Sequence, residues 1–402
     1  MTDTVIGQRT SAASFPILGA ITFCHLLNDL STSLLLAIYP LLKSGFDLSF
    51  GQIGLLTLVF QGTASLLQPA VGLFTDRRPQ PYALPFGMAA IALGLAVLAF
   101  APNYAALLVG CVSLGIGSSI FHPESSRIAR LASGGAHGFA QSLFQVGGNF
   151  GNSLAPLAAA VLVLPYGRHT IAWFAVLAVI GIAILTHVGH TFGRTALAGR
   201  ARASSVLHPA ALPQSAVRRA IAVLIALIFS KYFYLASITS YYIFYLIHHF
   251  GLTAENAQLC LFAFLVSAAA GTFVGGPIGD RVGRKRVIWC SILGVVPFTL
   301  ALPYVGLAAT IALSVCIGLI ISSAFSAIVV YAQELIPGRV GMVSGLFFGV
   351  GFGMAGLGAA ALGELIDLTS IDFVYRVCSF LPLIGVLTAF LPDVERMAHA
   401  RA

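Results

Sequence analysis

Twelve long apolar segments divide the chain, and they restrict its fold more than any other feature. Each segment is near or above the roughly 20 residues that an α-helix needs to span a bilayer. Their apolar runs are continuous and lack the alternating polarity of a membrane-spanning strand, so they predict helices. The segments lie near residues 15–42, 50–75, 82–101, 104–131, 138–164, 169–192, 219–247, 253–279, 287–304, 306–332, 340–363 and 373–391.

The composition agrees with a membrane protein, because 58% of the residues are hydrophobic and only 8% are charged. A soluble domain carries roughly a quarter charged residues. The net charge of +8 could indicate nucleic acid, but most of the 21 Lys and Arg residues fall on one predicted side of the membrane. The positive-inside rule then places both termini in the cytoplasm. We therefore expect a lipid bilayer around the chain and no nucleic-acid partner.

The longest polar break divides the segments into six and six. It predicts an N-terminal six-helix bundle over 1–192, a cytoplasmic linker over 193–217 and a C-terminal six-helix bundle over 218–402. The sequence GLFTDRR, which begins at Gly72, returns as GPIGDRV, which begins at Gly276. Two parallel repeats of six helices describe a transporter fold whose binding site lies near the membrane midplane, between the halves.

These repeated loops resemble the signature loop of the major facilitator superfamily. The second copy, GGPIGDRVGRKR, is the closer match to that signature. The first copy, GLFTDRRPQ, lacks its Gly-Arg-Arg continuation. Three further stretches resemble the fosmidomycin resistance type of bacterial efflux protein: FHPESSRIARLASGGAHGFAQSLFQVGGNFG, FSKYFYLASITSYYIFYL and YAQELIPGRVGMVSGLFFG. That resemblance implies proton-coupled export of the phosphonate antibiotic fosmidomycin across a bacterial inner membrane, with the drug and protons as partners.

A histidine and a carboxylate interrupt the first apolar segment. His25, Asn28 and Asp29 share one helical face, and Asn28 is a candidate substrate contact. A carboxylate inside a bilayer costs several kcal/mol unless it faces protein, water or a partner. We expect Asp29 to carry a proton or contact substrate; a structural ion pair with Lys231 is the alternative. His25 either shares the proton or orients Asp29.

Further polar side chains fall on the second, fourth and fifth helices. His122 is a candidate for a second proton or phosphonate contact, although a serine-rich face that packs on a neighbour would look the same. Amides at Gln61 on the second helix and at Gln141, Gln145, Asn149 and Asn152 on the fifth should line an aqueous cavity or bond between helices.

The seventh helix supplies a cation. Lys231, Tyr234 and Tyr242 are expected on one face, where an amine and phenol donors could meet a phosphonate. If Lys231 paired with Asp29, protonation of Asp29 would free it for the drug. Proton and anion would then bind together, whereas antiport requires that they exclude each other. The drug's own charge, His122 or another pairing would have to supply that competition.

Several charged residues are predicted to control the cytoplasmic side. Asp76 and Asp280 end helices whose C-terminal dipole disfavours a carboxylate, so each needs an arginine or the N-terminus of another helix. In the superfamily such contacts latch this side, and the matching positions are Asp76, Arg77, Asp280 and Arg281. Glu124 and Arg127 should pair within one helix. Glu334 and Arg339 are expected to close the same network.

The runner-up function is transport of another small anionic or sugar-like solute. A membrane sensor or enzyme on the same scaffold is a third reading. No zinc-spaced His and Glu pair, nucleophile elbow or P-loop appears in the sequence. Six cysteines fall singly in apolar segments without metal-like spacing. We expect no enzyme activity, no cofactor, no metal and a functional monomer.

Overall fold

The structure is a computed structural model that describes residues 13–48, 50–203, 213–252, 254–336 and 338–392. Within those ranges the chain is helical and contains no β-strand. We number the long helices in chain order. They are α1 (Phe15–Ala37), α2 (Phe50–Arg77), α3 (Ala83–Phe100), α4 (Tyr104–Ala132), α5 (His137–Ala158), α6 (Ile171–Ala203), α7 (Gln214–Phe250), α8 (Ala254–Val282), α9 (Arg284–Leu293, continued by Val296–Ala301), α10 (Leu307–Ser322, continued by Ala324–Leu335), α11 (Val340–Leu368) and α12 (Ile371–Cys378, continued by a 3-10 segment, Leu381–Phe390).

Eleven of these helices are long and apolar enough to cross a membrane within the described ranges. The exception is α5, which forms in the predicted place. Its amide stripe, from Gln141 to Asn152, lowers its hydropathy. A helix with such a stripe belongs inside a bundle, because amides facing lipid would lack partners.

The predicted linker at 193–217 is partly helical. Helix α6 continues to Ala203, and α7 begins at Gln214. The part between them, 204–212, lies outside the described residues. The gap between α6 and α7 therefore lies within the predicted linker. The division of the chain into two six-helix bundles with these bounds stays a prediction.

Two pairs of helices join the halves at one end of the molecule. Helix α2 packs on α11, and α5 packs on α8. A Cβ atom at Gly72 would overlap the carbonyl of Gly341, and one at Gly276 would overlap the carbonyl of Gly138. Glycine lets the backbones approach this closely, as is typical of helix packing in membranes. The first glycine of each sequence repeat is therefore a contact point between the halves.

Candidate functional site

A cavity of about 540 Å³ lies between the two halves. It occupies the part of the bundle away from the contacts just described, and its outer residues Leu36 and Thr239 are exposed. We call the packed end the latch end and the other end the mouth. The polar residues that line the cavity are His25, Asp29, Ser33, Gln145, Asn149, Asn152, Lys231, Tyr232, Thr239, Thr272 and Ser322. Its aromatic lining is completed by Phe264, Phe325, Phe348 and Phe352.

Asp29 lies at the centre of a buried cluster in this cavity. Its Oδ2 atom is 3.4 Å from Nε2 of His25, and its Oδ1 atom is 3.5 Å from Nε2 of His122. Asn28 donates to Oδ1 at 2.8 Å, and Asn152 donates to Oδ2 at 3.1 Å. Both histidines are 2% exposed. The structure thus brings together the three residues predicted for proton coupling, and it adds two amide donors.

The hydrogen bonds of the histidines fix their tautomers. Nδ1 of His25 lies 2.7 Å from the carbonyl oxygen of Phe144, and Nδ1 of His122 lies 2.9 Å from that of Ser118. A carbonyl oxygen only accepts, so each Nδ1 carries the hydrogen. In each neutral ring, Nε2 is then a hydrogen-bond acceptor. It faces the Asp29 carboxylate, which is an acceptor too. These Nε2 atoms have no hydrogen-bond partner. An additional proton, or another positive centre between the rings and Asp29, would satisfy these facing acceptors.

Lys231 lies in the same cavity but does not pair with Asp29. No carboxylate of a described residue lies within 4 Å of its amine. Instead the amine is 5.3 Å from the ring centre of Phe325 and 5.7 Å from that of Tyr232. Such cation–π contacts contribute about 0.5–2 kcal/mol. The alternative of a structural Asp29–Lys231 pair is therefore wrong for this conformation.

The expected tyrosine face beside Lys231 is also wrong. Tyr234 and Tyr242 are buried in the apolar core of the C-terminal half and do not line the cavity. The cavity face of α7 instead carries Tyr232, Leu235 and Thr239. On a helix, the residues three and four positions after Lys231 both lie near it. The cavity is lined by the residues at four-residue spacing, Leu235 and Thr239, and not by Tyr234 at three-residue spacing. Sequence spacing alone does not decide between the two directions.

The amides on α5 largely reach the cavity. Asn149 donates to the hydroxyl of Thr272 at 3.1 Å and so joins the two halves. Gln145 lines the cavity with its Oε1 atom unpartnered. Asn152 also accepts a hydrogen bond from Ser33. Gln61 on α2 is half-buried and lies outside the cavity lining, so the structure does not bring it to the site.

The signature aspartates cap helices of the opposite half. Asp76 accepts from the backbone N–H groups of Gly341 and Met342 at the start of α11, both at 2.8 Å. Asp280 accepts from those of Gly138 and Phe139 at the start of α5, both at 2.9 Å. A carboxylate at a helix N-terminus is stabilised by the dipole and by orphan N–H groups. The two caps are related by the sequence repeat, and they close the latch end.

The other charged residues of the latch end form two groups of ion pairs. Glu124 and Arg127 form the predicted pair within α4. Glu334 pairs with Arg284 at 3.3 Å, and Arg284 also contacts Asp280 at 3.1 Å. The expectation that Arg339 joins Glu334 is wrong here, because Arg339 is exposed and reaches no described carboxylate.

The two signature arginines lie at the latch end. Arg77 and Arg281 are exposed at the last turns of α2 and α8. Backbone N–H groups at helix N-termini hold the signature aspartates in this conformation.

Polar side chains between the halves add a second layer at the latch end. Ser126 donates to Gln141 at 2.8 Å, and Gln333 donates to Ser344 at 2.8 Å. Ser126 and Ser344 are 3.1 Å apart, so the two pairs form one buried network. Sequence reasoning missed it, because the partners are far apart in the chain.

Comparison with known proteins accounts for this architecture. The chain matches the Major Facilitator Superfamily pattern over residues 21–254 and 223–401. It is 58% identical over 381 residues to the fosmidomycin resistance protein of Escherichia coli (strain K12), covering 94% of this chain and 93% of that protein. The chain is a major facilitator superfamily protein of the fosmidomycin resistance type. It is therefore a multi-pass membrane transporter, and the prediction from the repeated loops is confirmed.

Other members of the superfamily agree with this assignment. The MFS-type transporter YfnC of Bacillus subtilis (strain 168) is 38% identical over 393 residues, which are 97% of this chain and 96% of that one. The human organic anion transporter TETRAN superposes with a TM-score of 0.72 at 20% identity, covering 94% and 99% of the two chains. A variant of the fucose:proton symporter FucP of Escherichia coli gives 0.70 at 16% identity, covering 93% and 98%. These two structures support the fold alone.

Proposed function

We propose that this transporter exports fosmidomycin, or a closely similar small phosphonate, across a bacterial inner membrane in exchange for protons. The relative at 58% identity is named for resistance to that drug. Resistance by a membrane transporter is most simply achieved by export. The protein would act as a monomer, because one chain forms the whole cavity.

The observation that carries the proposal is the amine of Lys231 in the cavity. It is 3% exposed, and it lacks a described carboxylate partner. A phosphonate is an anion whose oxygens accept hydrogen bonds, so it would neutralise this buried charge. Asn149, Gln145 and Thr272 offer polar contacts in the same cavity. The aromatic walls would pack on the apolar carbon chain of the ligand.

The sidedness follows from the charge distribution. Among the described residues, Arg77 and Arg281 lie in the last turns of α2 and α8 at the latch end, and Arg284, Lys285 and Arg286 begin α9 there. We therefore assign that end to the cytoplasm, together with both termini. The structure, with its latch end closed, would then be an outward-facing conformation whose cavity opens to the periplasmic side of the membrane. Alternating access would require that the Asp76 and Asp280 caps separate, so that the cavity faces the cytoplasm.

Coupling would use the cluster of Asp29, His25 and His122. An anion at Lys231 and a proton at the cluster attract each other. Antiport must therefore arise from the order of the steps and not from direct competition. In the order that we propose, the drug leaves outward, a proton then satisfies the cluster, and the protonated carrier turns inward.

The substrate assignment is tested by fosmidomycin binding to the purified protein, measured calorimetrically. We expect Lys231→Gln to weaken binding at least about tenfold, since a hydrogen bond to a charged group contributes about 1.5–3 kcal/mol. Arg286→Gln is the control, because it removes one exposed charge outside the cavity. Equal affinity in Lys231→Gln and the wild type would refute the role of Lys231. If the wild type bound a sugar-like solute but not the drug, the runner-up function would replace the proposal.

A further inference from the structure

The same buried cluster has the geometry of a transition-metal site. Nε2 of His25, Nε2 of His122 and a carboxylate oxygen of Asp29 all lie within 4.8 Å of one another. Zn²⁺ binds histidine nitrogen and carboxylate oxygen at about 2.0–2.2 Å, which places two tetrahedral ligands roughly 3.3 Å apart. The separation of His25 Nε2 from Oδ2 is 3.4 Å and that of His122 Nε2 from Oδ1 is 3.5 Å, so each carboxylate oxygen lies close to that value from one ring.

The two histidines have the hydrogen bonds that are typical of histidines bound to a metal. A histidine that binds a metal through one nitrogen usually donates its other N–H to a backbone carbonyl or carboxylate, which fixes its tautomer and orientation. Both rings do this, through Phe144 and Ser118. His25 also stacks on the ring of Phe144, with centres 4.0 Å apart. The unpartnered Nε2 lone pairs are therefore held in place and aimed at Asp29.

We infer that His25, His122 and Asp29 form a binding site for a divalent transition metal of the Zn²⁺ class. Two imidazoles and one carboxylate are a common zinc ligand set that leaves a fourth position open. Since His25 and Asp29 line the cavity, water or an anion could take that position. The ion would supply a positive centre between the two rings and Asp29.

This inference differs from the expectation of no metal. That expectation rested on spacing along the chain, and His122 is far from His25 in sequence. Only packing of α4 against α1 brings the two rings to 5.1 Å between centres. The inference does not rest on the proposed function, because metal binding is measured without drug and without a pH gradient.

The test is a titration of the purified, chelator-treated full-length protein with Co²⁺, a spectroscopic probe whose visible absorption reports its ligands. Zn²⁺ then displaces the probe in a second titration. We expect saturable binding of one ion per chain. His25→Gln, His122→Gln and Asp29→Asn should each lower the affinity by more than the roughly 10–100-fold that is lost when a hydrogen-bond partner of a metal ligand is removed.

A competing site on the surface provides the matched control. His249 and His248 lie 2.8 Å and 3.9 Å from Asp372 near the mouth. The double variant His248→Gln/His249→Gln should bind Co²⁺ like the wild type. Binding that disappears in this variant but survives in His25→Gln and His122→Gln would overturn the inference, as would the absence of saturable binding in the wild type.

A gain-of-binding variant keeps the test independent of folding defects. Asn152 already donates to Asp29 at 3.1 Å from a cavity-exposed position. Asn152→His would offer a fourth ligand, so it should tighten Co²⁺ binding at least about tenfold and change the absorption spectrum. An unchanged affinity and spectrum would contradict the proposed location.

Discussion

At the scale of single residues, the site depends on how closely α5 approaches α1. The glycines of α5 have different neighbours. Cβ atoms at Gly147 and Gly151 would overlap backbone carbonyls of α1, at Thr22 and Leu26. A Cβ at Gly148 would meet only side chains among its nearest atoms: the ring of His25 at 2.5 Å and Oδ2 of Asp29 at 2.6 Å. Gly148 therefore leaves room for the cluster, whereas Gly147 and Gly151 allow the helices to pack.

Gly148→Ala should disable the cluster without unfolding the protein. The added methyl group must displace His25, which is held by Phe144, or Asp29, which is held by two amides. We expect proton-driven transport to fall at least about tenfold, because a shift of an ångström in a reacting group has effects of that order or larger. Transport is measured in proteoliposomes, and size-exclusion chromatography checks folding.

Gly356→Ala is the matched control for this substitution. A Cβ at Gly356 has no neighbour within 4 Å, and the residue lies on a membrane-length helix of the other half. It should transport like the wild type. Normal transport by Gly148→Ala would show that the fit around His25 and Asp29 has no functional importance.

Residue-level prediction from the sequence succeeded where local periodicity determines the neighbours. One helical turn places His25 beside Asp29, and the three-residue spacing pairs Glu124 with Arg127. The prediction for the tyrosines of α7 was wrong, and so was the alternative that pairs Asp29 with Lys231. The sequence pattern contains no information on how far each helix is rotated about its axis. That rotation determines whether Tyr232 or Tyr234 faces the cavity.

At the scale of helices, the latch joins two symmetry-related pairs. In each pair, a signature aspartate at the end of one helix caps the start of another, and a glycine four residues earlier allows the close approach. Each charge-assisted hydrogen bond contributes about 1.5–3 kcal/mol. The aspartate is therefore stabilised only while the two halves touch, which makes the latch sensitive to their separation.

Gly276→Ala should weaken the closed latch. Its methyl group would overlap the Gly138 backbone, so α5 and α8 would have to separate and Asp280 would release the N–H groups of Gly138 and Phe139. We expect hydrogen exchange of these two amides, measured by mass spectrometry, to become at least about tenfold faster.

The control lies three residues further along the same helix. At Gly279 the nearest atoms to an added Cβ are 3.8 Å away, which is an ordinary contact. Gly279→Ala should leave the exchange of Gly138 and Phe139 unchanged. Equal exchange in both variants and the wild type would contradict the role of Gly276 in closing the latch.

At the scale of the whole molecule, the sequence predicted the architecture better than the site. Twelve apolar segments and a repeated Gly-x-x-x-Asp-Arg loop were sufficient for the superfamily and the helix order. Both features are local in the chain or repeat within it. The meeting of His122 with Asp29, and of Ser126 with Gln333, depends on packing between distant helices. No periodicity in a single sequence reports those contacts.

Asp29 and Lys231, the two charges that the proposed function uses, share one cavity but have separate surroundings. The Asp29 cluster lies between α1, α4 and α5 of the N-terminal half, and Lys231 belongs to the C-terminal half. A change in the relative position of the halves would therefore alter the separation of proton and drug. This arrangement allows coupling without a direct ion pair between Asp29 and Lys231.

The most direct test measures drug and proton movement together in proteoliposomes. A fosmidomycin gradient is imposed at equal pH on both sides, and a trapped dye records the internal pH. We predict that protons move in the direction opposite to the drug, and that Asp29→Asn, shown to be folded by size-exclusion chromatography, abolishes the proton movement. Drug movement without protons, or with protons in the same direction, would contradict proton-coupled export.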